Sequence, residues 1–193
     1  MAIRKLLLPL TGAVAGEAAL ATALTVARLW NAHLTTLHVR ADSRDVAPLV
    51  GEGLSGAMIE EMMTATETES AARAQAVRAM FTRFLAGQGV TLQEARCGAG
   101  GATASFAAVT GREEDVVAQQ ARLADLTIVA HPECGEDVSS SDALHAVLFD
   151  SARPVLIAPQ RPPEGIGRRI ALAWNGSAES AAAVGVALPW LRR

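Results

Sequence analysis

The chain has 193 residues, half of them hydrophobic and 19% charged, with a formal net charge of −3. That length buries one good core but not a second unit of equal size, and the apolar content argues against long disordered tails. Acidic and basic residues are interspersed, without the basic stripe that a phosphate backbone demands, so nucleic acid is excluded as a partner.

In chain order, strands and helices alternate. Residues 3–10 form an apolar run too short for a helix and fit a strand covered on both faces. Residues 17–31 carry Leu20, Leu24, Ala27 and Leu29 without a breaker and read as a helix. The stretch HLTTLHV (33–39) is β-branched enough to be a second strand. A long helix is predicted over 54–87, where Met58, Ile59, Met62, Met63, Val77, Met80, Phe81, Phe84 and Leu85 recur at three- and four-residue spacing; the methionines read as a core-packing face. Gly87 and Gly89 end it, and VTLQEARC (90–97) starts a third strand.

The CGAGGA that follows lacks the G-x-G-x-x-G pattern of a phosphate loop, and the TASFAAVTG after it alternates like a strand. A strand interruption or a hairpin is therefore expected. REEDVVAQQARL (112–123) reads as a short helix with acids at its positive end, ADLTIVA (124–130) as a fourth, buried strand, SSSDALHAVLFDSA (139–152) as a capped helix, and RPVLIAP (153–159) as a fifth strand. This order predicts an α/β fold: a doubly wound, mostly parallel five-stranded sheet with helices on both faces.

The N-terminus has signal-peptide character, a basic pair followed by LLLPLTGAVA, but Pro9, Thr11 and Gly12 break the run where a turn falls. The end of the chain explains it better. RKLLLPLTG (4–12) can be laid on RRIALAWNG (168–176), and each copy leads into an alanine-rich helix through Glu17-Ala18-Ala19 or Glu179-Ser180-Ala181. The first copy is thus read as a buried strand, the chain as cytoplasmic, and no apolar run approaches the ~20 residues that span a bilayer, so no membrane is involved. Cys97 and Cys134 have neither CxxC nor Cys/His spacing and read as reduced thiols.

With ADLTIVA, a loop, a capped helix and RPVLIAP in this order, the chain resembles the universal stress protein family in its tandem form; IALAWNGSAESAAAV is the most specific stretch. The resemblance implies an adenine nucleotide alpha hydrolase-like domain over 1–159, a linker at 160–167 (QRPPEGIG), and over 168–193 the first strand and helix of a second, incomplete domain. It also implies adenine and ribose near the ends of the first two strands, with phosphates on a Gly-x-x-Gly loop followed by Gly-Ser/Thr after the fourth.

This chain departs from that pattern. The first loop glycine becomes Ala130, the second falls near Glu133, the glycine-hydroxyl pair falls on Ser141-Asp142, and the acid usually closing the first strand is Thr11, followed by Gly12. Glu133, Glu136, Asp137 and Asp142 would surround a triphosphate, and an unpaired like-charge contact at ~4 Å costs on the order of 4 kcal/mol at an effective dielectric near 20. A divalent cation could reverse that sign, but a solvated acidic loop is the simpler reading and no metal is expected.

The candidate nucleotide-binding residues are Thr11, Gly12, Val39, Ala130, His131, Ser139, Ser140 and Ser141, the serines as a helix cap. His33, His38 and His145 read as structural, and no nucleophile–base pair is evident, so no enzyme is expected. The leading expectation is a stress-response binding or scaffold protein with a degenerate nucleotide site and no cofactor, acting through association. Its rival is a sensor binding ATP or AMP. A homodimer is expected in which Ile170, Leu172, Trp174 and Trp190 are shielded, because a lone strand and helix bury their apolar side only by docking.

Overall fold

The computed structural model describes residues 3–12, 16–43, 55–94, 100–131 and 141–193. Its centre is the apolar run near the N-terminus. β1 (Lys5–Pro9) is flanked on both sides, by β2 (His33–Arg40) and β5 (Leu126–Val129), and Leu6, Leu7 and Leu8 are all buried. Successive side chains point to opposite faces, so a strand covered on both faces must be apolar throughout. Leu6, Leu8 and Leu10 join one core with Leu20, Leu24, Val77 and Phe81, while Leu7 joins a second with Leu37, Val117 and Val147.

The first core lies under α1 (Gly16–Trp30) and α2 (Gly56–Ala86), the second under α3 (Glu113–Arg122) and α4 (Ser141–Asp150). With β3 (Thr91–Leu92), β4 (Thr103–Thr110) and β6 (Val155–Ile157) the sheet has order β3-β4-β2-β1-β5-β6, and every pairing is parallel. The doubly wound α/β prediction holds, with six strands in place of five. The difference arises at the glycine-rich stretch. β3 runs parallel to β4, Thr91 beside Thr103, so the link is not a hairpin, and residues 95–99 within it lie outside the described residues.

Local chemistry fixes the ends. The Asp125 carboxylate accepts from the backbone N–H groups of Arg4 and Lys5, each at 2.9 Å, which ties the start of β1 to that of β5. Gly16 opens α1 where a Cβ would meet the side-chain ends of Leu10 and Met80 at 3.1 Å, so a larger residue requires those two to shift by a few tenths of an ångström. Gly89, at φ +62, makes the left-handed turn after α2.

α2 departs from the sequence reading. Its buried residues are Val77, Met80, Phe81 and Leu85, all in its last third, whereas Met58 and Met62 are exposed and the methionines there form no core. The reason is length: 31 residues of helix span about 46 Å at 1.5 Å per residue, and the eight residues of β2 span about 26 Å at 3.3 Å each. The N-terminal turns of α2 therefore overhang the carboxyl ends of the strands.

After β6 the chain runs through 168–176 without forming a strand, and Ile170, Leu172 and Trp174 are exposed. The strand expected there is corrected accordingly. β1, whose sequence this segment repeats, is buried by a strand on each side, and 168–176 pairs with no strand among the described residues. The helix does form: α5 (Ala178–Leu191) is capped by Ser177, whose hydroxyl accepts from the Ser180 N–H at 3.2 Å, but no residue of α5 is buried. Its anchor is Trp190, edge-on to Trp30 at the end of α1 with ring centroids 5.5 Å apart, while the Arg193 guanidinium lies 5.4 Å from the Trp30 ring.

Candidate functional site

In a doubly wound sheet the backbone groups at the carboxyl ends of the strands open into crevices where ligands bind. Here the Leu10 N–H donates to the Leu37 carbonyl at 2.8 Å and the Gly111 N–H to the Arg40 carbonyl at 3.0 Å, which carries the pairing past the ends of β1 and β4. Beyond these bonds lies a cavity of about 360 Å³, at the lower end of the size of small-molecule sites. Thr11, His38 and Val39 face it from the strands, and Thr66, Glu69, Ser70 and Arg73 wall it from the overhang of α2. Residues 111–114, the turn into α3, close the third side.

His38 is 2% exposed. Its Nδ1 lies 2.8 Å from the Leu10 carbonyl oxygen, which can only accept, so Nδ1 carries the hydrogen and Nε2 is left as an acceptor. Burial holds its pKa below the ordinary histidine value; the Leu10 bond opposes this, and the nearby Arg73 and Arg40 charges reinforce it. His38 is thus a neutral imidazole at neutral pH.

The cavity's guanidiniums are already matched. Arg73 pairs with Glu69 one turn away at 3.0 Å, and Arg112 with Glu114 at 2.8 Å. With Glu113 the lining holds three carboxylates against two guanidiniums. Glu113, Glu114 and Asp115 also occupy the first turn of α3, where the helix dipole favours acids, so that helix start is filled by the protein's own negative charge.

On the α2 wall, the Thr66 and Ser70 hydroxyls make no hydrogen bond among the described residues. Thr64 and Thr68 instead donate to the carbonyls of Glu60 and Thr64, each at 2.8 Å. Thr66 and Ser70 are half-buried and continue the inner face that becomes apolar from Val77 onward.

Of the predicted nucleotide residues, the structure brings Thr11 and Val39 to the cavity, with Gly12 buried beside Thr11. Ala130 is buried at the end of β5 and His131 follows it; neither lines the cavity. Ser139 and Ser140 lie outside the described residues, as do Cys97, Glu133, Cys134, Glu136 and Asp137; Ser141 opens α4, its side chain and that of Asp142 undescribed. His33 is structural as read, with its ring nitrogens 2.8 Å from the Thr103 hydroxyl and 3.0 Å from that of Ser105.

His38 and the α2 wall escaped the sequence reading. The available signal was the pair Thr66 and Ser70, a polar break in the inner face between Met63 and Val77. Among the described residues no group of three His, Cys, Asp or Glu side chains could hold a metal ion, and no helix is long and apolar enough to cross a membrane.

No protein-family model and no curated protein matches the chain in sequence. Solved structures do match in fold. The universal stress protein UspA from Lactobacillus plantarum superposes with a TM-score of 0.53 at 16% identity, covering 82% of this chain and 99% of its own. The hypothetical protein MJ0577 superposes with a TM-score of 0.53 at 15% identity, covering 82% of this chain and 96% of its own.

Proposed function

We propose that this chain, which has the fold of the universal stress proteins, is a stress-response binding protein of that type: a cytoplasmic non-enzyme that works by association, its nucleotide site having lost the half that holds phosphates. One observation carries the reading. The cavity at the strand ends sits where this fold class binds ligands, yet its guanidiniums are tied to carboxylates and its charge is negative. Bringing a triphosphate there sets like charges against each other, and both guanidiniums among the described lining residues are already paired.

The domain reading draws support from coverage: UspA is matched almost end to end while part of this chain has no counterpart in it, which fits one whole unit over 1–159 followed by the linker 160–167 and a further segment, 168–193. Association draws support from the same segment, where Ile170, Leu172 and Trp174 are exposed at alternate positions; the proposed partner is a second copy of the chain. Calorimetric titration with ATP and magnesium tests the degenerate site. The reading predicts no saturable heat at protein concentrations of about 100 μM, near −5.5 kcal/mol in affinity; micromolar binding would establish the nucleotide sensor instead.

A further inference from the structure

The reading above gives Ile170, Leu172 and Trp174 to a second copy of the chain and leaves open what receives them. We propose that they dock, behind the basic pair Arg168 and Arg169, in the groove between α3 and α4 of that copy. This rests on the proposal that the chain associates with itself.

The groove is a space of about 460 Å³ between the two helices. Its lining includes Ala118 and Ala146, 5% and 8% exposed, whose methyl side chains leave room for larger apolar groups. Phe149 stands at its edge, 80% exposed, with its ring centroid 6.2 Å from that of His145. A second aromatic ring laid against it removes apolar area of both from water.

Length and charge fix how the segment lies. The α3 wall runs from Glu114 to Arg122, about 12 Å at 1.5 Å per residue. Ile170 to Trp174, extended, spans about 13 Å at 3.3 Å per residue. Glu114 and Asp115 line one end of the groove; Glu114 is matched by Arg112, but Asp115 has no ion pair among the described residues, nor have Arg168 and Arg169. At the other end Arg122 donates through Nε to the Asp150 carbonyl at 3.0 Å, next to Phe149. With its arginines at the acidic end the segment brings Trp174 to Phe149, so charge and aromatic contact agree on one direction.

The segment does not meet the groove of its own chain. Ile166 and Trp190, on either side of it, pack against the core under α1 and α2, and the groove lies over the other face of the sheet. Exchange of the segment between two copies makes the contact twice and closes a two-fold dimer.

Light scattering of charge-reversed variants tests the assignment. Arg168→Glu with Arg169→Glu, and separately Glu114→Lys with Asp115→Lys, are each expected to give the mass of one chain at micromolar concentration. An equimolar mixture of the two variants is expected to recover the mass of two, since each segment then meets a groove of opposite charge. Phe149→Ala, which touches neither core, should weaken the dimer by about tenfold or more while leaving the melting curve in place. A dimer that survives the groove substitutions but comes apart in Leu172→Glu with Trp174→Glu overturns the groove and leaves the association reading standing. A mixture of folded variants that stays at the mass of one chain also overturns the groove. A wild type that scatters as one chain brings down the association reading itself, and this inference with it.

Discussion

His38 shows how one residue's setting decides its part. From sequence it is one of three histidines on apolar stretches, and a structural part is the natural reading. The fold places it at the end of β2, bonded to the Leu10 carbonyl at the end of β1, so the same side chain also borders the cavity. No sequence spacing encodes that meeting, because the two residues are brought together by strand pairing across 28 positions. Both His38 and His33 have pKa values lowered chiefly by burial. The unfolded chain therefore takes up protons first as pH falls below about 6.5, and stability, complete above that value, is lost on acidification toward the folded pKa values. Denaturant unfolding between pH 7.5 and 5.5 checks this, with an expected slope of up to about 1.4 kcal/mol per pH unit for each histidine. His38→Gln should flatten it, and a flat profile in the wild type would contradict the buried neutral assignment.

At the scale of elements, the patterns most legible in the sequence were those whose surroundings are symmetric. β1 beyond Lys5, and β5 apart from the buried Thr127, are apolar because both faces are covered, and the read helices at 17–31 and 112–123 match α1 and α3 within a residue or so. α2 was legible as a helix but not in its packing. Its period of three and four residues recurs at both ends, with Thr66 and Ser70 on the inner face between, while the sheet beneath it stops, so methionines with the same spacing meet the core at one end and solvent at the other. Met80→Ala is expected to cost about 2–5 kcal/mol in an unfolding titration and Met58→Ala within about 0.5 kcal/mol. Equal losses at the two positions would show that the N-terminal turns are packed after all. The strand at 168–176 failed for the complementary reason: a strand's pattern states which faces want burial, and the partner that provides it lies elsewhere.

For the whole molecule, the internal repeat sets the largest question. Residues 4–12 and 168–176 share a pattern, yet the first copy is the centre of a six-stranded sheet and the second lies exposed beside α5, which is tethered to the rest through Trp190 and Trp30. Trp190, expected at a dimer contact, is half-buried against its own chain, so Ile170, Leu172 and Trp174 are the residues left for a second copy to cover. Association through them is the central claim, and the solution mass tests it most directly. Light scattering at micromolar concentration should give twice the 20.0 kDa chain mass, falling to the single-chain value in Leu172→Glu with Trp174→Glu. A wild-type protein that scatters as one chain at every concentration would contradict the account.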